Sequence, residues 1–436
     1  MKYKSILLAL LMLLSPLAAE AAVPRFADWA LADVGNQPLA DGLTLWTYTL
    51  RSGTGENALG QRLHVLEVAP GAKLQFLPVS HNLQVKGLQT VPEAMALAAQ
   101  HWPQWTPVAA INGDFFDTTA GGALGMTIRA GRLIQTGEFP EGWSLGFNAA
   151  GQARLGQPQV RLTLSAARDG AAILTEHPID ALNALRADIG RTGSSPQNAY
   201  DARQDNRLVL YTADWYRATM TADGGWEAAL AVSGHLTPNG ELRGTVRGFH
   251  DTEQVTVAGD AQISQGTALT DGSAVLSATG EAIEVLRQLQ PGDEVTIRST
   301  ISADWADIEN CLGGGRPDGG PLLVLEGVIQ PEHPEVDDYQ YFYPSRHPRT
   351  AAGIRADGRL FLLSAEGYRP GAADGLSIAE LSQIMLDLGA RTALNLDGGP
   401  SSALVIRTPD GFVPLTRVDR RQTPVGNALV ICAYGE

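Results

Sequence analysis

Residues 375–402 read GLSIAELSQIMLDLGARTALNLDGGPSS. Ser377 and Glu380 have capping-box spacing, so the Ser hydroxyl can accept an early helix N–H while the Glu reaches back to the cap. Ile378, Leu381, Ile384, Met385 and Leu388 then recur at helical intervals, and Gly389 supplies a left-handed stop. The apolar run 392–396 is a strand, broken by Asp397-Gly398-Gly399. Two glycines after a buried strand allow a turn with positive φ or a close approach to a ligand. Upstream, RLFLLS at 359–364 is another short strand, preceded by Arg349 and Thr350. A lone Asp-Gly-Gly is most simply a turn. The arginine and threonine ahead of it, and a second loop of the same kind, favour a site.

That second loop follows Thr90-Val91-Pro92-Glu93, where a capping box and an early proline open a helix to about His101. A strand at 108–111 leads to Asn112-Gly113-Asp114. In both places a capped helix and an apolar strand deliver a polar loop. Open α/β sheets place ligands at such strand ends, so the two loops are expected to converge on one site.

The segments HPRTAAGI at 347–354, RLFLLSAEG at 359–367, the stretch 375–402 and AINGDFF at 110–116 together resemble the phosphodiester glycosidase family. The order of these motifs is more specific than any one of them. The resemblance is strongest over 346–402. It implies hydrolysis of a sugar-1-phosphodiester at C1–O, giving free sugar and a phosphomonoester. Two other readings stay open: a phosphodiesterase that cleaves P–O, and a non-catalytic envelope glycan-binding protein.

A phosphate diester oxygen leaves as a stable anion, so a strong general acid is less needed than in the two-carboxylate glycosidase scheme. The chemistry calls for a cation or N–H cluster at the phosphate, a carboxylate at the reacting centre and polar groups for the sugar. Arg349 is the phosphate candidate, with a structural salt bridge as its alternative. Backbone N–H groups at Gly398, Gly399 and 313–315 could add to the anion site. Asp397 is the first choice for the essential carboxylate and Asp114 the second. Asn112, Gly113, Thr350, Ser401 and Ser402 join them as substrate contacts. Glu366 stands where the resemblance more often has Asp, and could accept bonds from sugar hydroxyls. Asn427, before the last strand, carries little weight. No cofactor is implied; Asp114, Asp117 and Asp397 could offer oxygen ligands to a divalent cation, but no histidine cluster accompanies them.

Composition frames these readings. The 436 residues carry a net charge of −15, with 48 Gly and 25 Pro, pointing to many turns and a sheet-rich fold. Such a surface does not favour nucleic acid or anionic membrane. Lys2 and Lys4, the apolar run 6–14 and Ala19-Glu20-Ala21 read as a signal peptide over 1–21, whose apolar run is too short to span a bilayer. A periplasmic or secreted protein is therefore expected. Cys311 and Cys432 are read equally as a disulfide or as two buried thiols.

Strands are expected at 43–50, 62–69 and 73–78, after an irregular lead-in from 22 to about 42. From 190 to 304 short alternating strands predominate, with one short helix over 280–289. The expected architecture is α+β: a mixed sheet with capped helices plus a β-rich insertion. The site-bearing domain would occupy 22–189 and 305–436, with the insertion at 190–304 between them.

Overall fold

A computed structural model describes residues 24–55, 58–118, 121–138, 142–184, 206–221, 225–251, 266–314, 322–332, 342–416 and 422–434. The signal-peptide reading at 1–21 and the Gly-rich residues 315–321 lie outside these. The α+β expectation is corrected: the chain is mostly β, 52% strand and 11% helix, in several antiparallel sheets. Among the described residues every strand pairing is antiparallel, apart from the short parallel contact of Ala181–Leu182 with Leu208–Thr212. Helical capping signals are local and strong, so they drew attention out of proportion to the helices' length. Strand partners are set by contacts far apart in sequence, which alternation alone does not reveal.

The main sheet has eight strands in the order Ala30–Ala40, Leu43–Ser52, Leu59–Val68, Leu360–Ala365, Arg349–Arg355, Ala390–Leu396, Leu322–Leu325 and Val328–Ile329. The first of these corrects the irregular lead-in. As an exposed edge strand it has no buried face to impose a hydrophobic alternation. The back sheet has five strands: Gly411–Pro414, Leu404–Thr408, Trp105–Asn112, Asn427–Tyr434 and Leu74–Ser80. Leu66, Leu362, Leu394 and Leu396 of the main sheet pack between the two sheets against Phe76, Ile111, Leu404 and Leu429.

Each sheet carries one helix on its outer side. Helix Val91–His101 lays Val91, Ala94, Met95 and Ala98 on the back sheet. Helix Ile378–Asp387 lays Ile378, Leu381, Ile384 and Met385 on the main sheet. Both capping boxes form as the sequence requires, at Thr90–Glu93 and Ser377–Glu380. Gly389 ends the second helix at φ +88°.

A five-stranded bridging sheet, which includes Thr127–Arg129 and Ile308–Gly313, connects this body to an eight-stranded distal sheet. The distal sheet runs from Val160–Arg168 to Glu294–Ile301, so it takes in strands upstream of residue 190. Val85 and Lys86 donate backbone N–H bonds to the Asp214 and Trp215 carbonyls next to this sheet, at 2.7 and 3.0 Å. The Lys86 ammonium lies 4.7 Å over the Trp215 ring and donates to the Gly121 carbonyl at 3.1 Å. The distal sheet is thus joined to the loop that follows Asp114.

Cys311 and Cys432 are both free thiols in buried strands, and burial pushes the Cys432 thiol up to about 12. Neither thiol should react with an aromatic disulfide reagent in the native protein, and two should react after denaturation. Reductant should leave the melting temperature unchanged. A reductant-dependent melt would overturn this assignment.

Candidate functional site

The two polar loops meet. The Asp397 N–H donates to the Gly113 carbonyl at 3.1 Å, and Asn112 Nδ2 donates to the Asp397 carbonyl at 2.7 Å. Asn112 Oδ1 accepts Thr350 Oγ1 at 2.8 Å and the Ala403 N–H at 3.0 Å. Ser402 Oγ lies 3.2 Å from the same Thr350 hydroxyl. Asn112, Thr350 and Ser402 are buried, Asn112 and Thr350 completely, while Asp397 is half-buried. Asn112 and Thr350 therefore clasp the two sheets, and their polar atoms are spent on protein partners. Removing the amide would orphan buried groups at roughly 1–3 kcal/mol each.

Asn427, given little weight in the sequence, is a principal support. Its Oδ1 accepts the Asp114 N–H at 2.9 Å, and its carbonyl accepts the Gly113 N–H at 3.0 Å. A Cβ on Gly113 would stand 2.1 Å from Asn427 Oδ1, so only glycine fits. Asp114 is 1% exposed, and its Oδ2 accepts the Gly125 N–H. A Cβ on Gly125 would stand 2.6 Å from that oxygen, and one on Gly313 2.9 Å. The glycine-rich segment thus closes backbone-to-carboxylate around Asp114.

Asp397 follows its strand directly. Its Oδ1 accepts the Gly398 N–H at 2.9 Å, and Oδ2 is buried with no hydrogen bond of good geometry among the described residues. The residue as a whole keeps partial exposure. Burial pushes its carboxyl up from the usual 3.8 to about 7, opposed by the Ser401 hydroxyl and the Gly398 N–H. Gly398 and Gly399, expected as anion donors, are committed elsewhere: the Gly399 N–H donates to the Pro348 carbonyl at 2.8 Å. Gly314 likewise donates to Trp143.

Arg349 is 2% exposed and has no carboxylate partner among the described residues, so the salt-bridge alternative is not realised there. Nε donates to the Leu376 carbonyl at 2.9 Å. Nη2 donates to the Phe342 and Ser345 carbonyls at 2.6 and 2.9 Å. Its guanidinium lies 5.0 Å over the Phe342 ring. Burial lowers its pKa to about 10, which leaves it charged at neutral pH. Its Cδ would lie 3.7 Å from a Cβ on Gly398, so the aliphatic stem of this arginine abuts the Asp397 loop.

Glu366 does not have the free carboxylate expected of a sugar ligand. Oε1 meets His64 Nε2 at 2.9 Å, and Oε2 meets Arg369. His64 and Arg369 carry no motif. His64 stands among apolar neighbours Leu63 and Val65 in its strand and lies directly opposite Ser364 in the sheet.

Comparison with known proteins follows this geometry. Residues 239–432 match the phosphodiester glycosidase family. The chain resembles phosphodiester glycosidases. The match includes Arg349, Thr350, Glu366 and 397–402 and excludes 112–114. Among solved structures, a hypothetical protein from Synechocystis superposes with a TM-score of 0.65 at 17% identity, over 92% of this chain and 64% of that one. The chain therefore spans just under two thirds of that neighbour's length. A putative exported protein from Burkholderia pseudomallei gives 0.63 at 18%, over 94% of this chain and 100% of that one. The zebrafish N-acetylglucosamine-1-phosphodiester alpha-N-acetylglucosaminidase catalytic domain gives 0.41 at 12%, over 92% and 88%. No curated protein sequence matches significantly.

A carboxyl with a raised pKa favours the fold when protonated. Its contribution is complete below the unfolded value, near 3.8, and is lost as pH rises through about 7. Asp397→Asn should therefore melt higher than wild type at pH 8, by roughly 2–4 °C, with the difference fading by pH 5. Asn112→Ala should melt well below wild type at both pH values. Calorimetric scans check both; a pH-independent Asp397→Asn difference would contradict the raised carboxyl.

Proposed function

We propose that the protein hydrolyses the C1–O bond of a sugar-1-phosphodiester, releasing free sugar and a phosphomonoester. One observation supports this most. Among the described residues, the Asp397 carboxylate keeps one buried oxygen without a hydrogen bond of good geometry, and its loop lies against the stem of buried Arg349, whose guanidinium has no carboxylate partner. A reacting carboxylate beside an uncompensated cation suits an anionic substrate with a cationic transition state. The family match over 239–432 supports the reaction class.

In this reading, Asp397 in its carboxylate form accepts a proton from water as the water oxygen bonds to C1. The C1–O bond breaks, and its electron pair leaves with the phosphate oxygen, which needs no strong acid. Arg349 balances the phosphate charge through the field of its guanidinium and through Nη1, which has no hydrogen bond among the described residues. Asp114 and Asn112 hold the two loops in register. Ser401 tunes Asp397. No step uses a cofactor. The distal sheet is read as a support unit placed between the site-bearing parts. The leader at 1–21, and the likeness to a protein described as exported, support a periplasmic or secreted location. The substrate class is a phosphate-linked sugar or glycan.

Turnover of an N-acetylglucosamine-1-phosphodiester in oxygen-labelled water tests the reading. The label should appear on the sugar. Label on phosphate would assign a phosphodiesterase, and binding without turnover a glycan-binding protein. Asp397→Asn should lose roughly 10²–10⁴-fold in kcat while remaining folded. Because the working form is the carboxylate, kcat should rise with pH through about 7 and level off above it. A flat profile from pH 5 to 9 would remove Asp397 from this role.

A further inference from the structure

We propose that Tyr368 is a substrate-contacting residue, its exposed ring forming the surface on which the sugar of the phosphodiester lies. The inference rests on the hydrolase reading above and extends it to a residue that carries no motif. Tyr368 is 46% exposed and adopts φ +57°, the left-handed region that bulky side chains avoid. Neither feature serves packing, since a glycine here would relieve the backbone and uncover no core.

The surrounding residues hold Tyr368 in this conformation from both sides. Glu366 is locked between His64 and Arg369. Gly367 is pressed against Pro348, where a Cβ would stand 2.7 Å from the proline ring. The strained residue is presented between these anchors. Strain held by its surroundings at an exposed aromatic is a signature of function.

The ring is also oriented. Its hydroxyl lies 3.0 Å from His347 Nδ1, and the two rings meet edge to face with centroids 5.8 Å apart. The hydroxyl would stand 3.5 Å from a Cβ on Gly399, so the side chain reaches the Asp397 loop itself. A tyrosine with a fixed polar tip and an open apolar face suits the C–H face of a pyranose. This arrangement gives Glu366 a part in the site: it builds the loop that carries the platform.

The test compares Tyr368→Ala, Tyr368→Phe and Tyr368→Gly with wild type on the same phosphodiester. Ala and Gly should raise KM about tenfold with kcat held within about threefold, the equivalent of one stacked ring. Phe, which keeps the ring and loses the bond to His347, should raise KM less than Ala or Gly does. Tyr368→Gly should melt above Tyr368→Ala, which reads the backbone strain separately from binding. Unchanged KM in Ala and Gly would overturn the platform. If wild type shows no turnover, the hydrolase reading falls, and titration calorimetry with N-acetylglucosamine-1-phosphate decides the platform alone. Binding about tenfold weaker in Tyr368→Ala would sustain it. Equal affinity, or no binding to wild type, would overturn it.

Discussion

The amide of Asn112 is the contact on which the site depends. It stands where the back sheet ends and ties the Asp397 carbonyl, the Thr350 hydroxyl and the Ala403 amide to a single side chain. A buried amide must satisfy its donors and acceptors within the protein. That requirement fixes the distance between the two sheets at this end more sharply than the apolar core behind it. The loops bearing Asp114 and Asp397 consequently share backbone bonds rather than merely facing one another. Asn427 adds a second brace from the neighbouring strand.

Within this frame the electrostatics are unusual in a consistent way. Among the described residues, Arg349 is charged, buried and met by carbonyl dipoles and the Phe342 ring; Asp397 is half-buried and held toward its neutral form. Neither neutralises the other through an ion pair. Buried charges without partners are costly and persist where a ligand completes them. Glu366, by contrast, is fully answered by His64 and Arg369 and belongs to the framework.

Much that could be read in the sequence is local. Thr90–Glu93 and Ser377–Glu380 announce their helices because a cap is written within four residues. The strand before Asp397 and the break after it were equally plain. The sheet architecture was not, because the pairing of Leu59–Val68 with Leu360–Ala365 joins segments some three hundred positions apart. The same distance hid the His64 partner of Glu366, whereas Arg349 bonds carbonyls only 4, 7 and 27 positions away, which no side-chain pattern announces. A carboxylate or guanidinium looks the same in sequence whether it will meet a ligand or a carbonyl. Asn427 was underweighted and Tyr368 missed for a related reason. Each acts through geometry, one through a glycine that leaves room for it and the other through a strained φ.

The clasp also bears on how the chain reaches its native state. Asn112 bonds to residues 238, 285 and 291 positions away. Contacts of such separation come late, after the loops between them have closed. The helices and hairpins can form early from near neighbours, whereas the union of the two loops waits for sheets built from opposite ends of the sequence. Partly folded chains would then carry every residue of the site and none of its geometry. Competence would arrive abruptly at the final step of assembly.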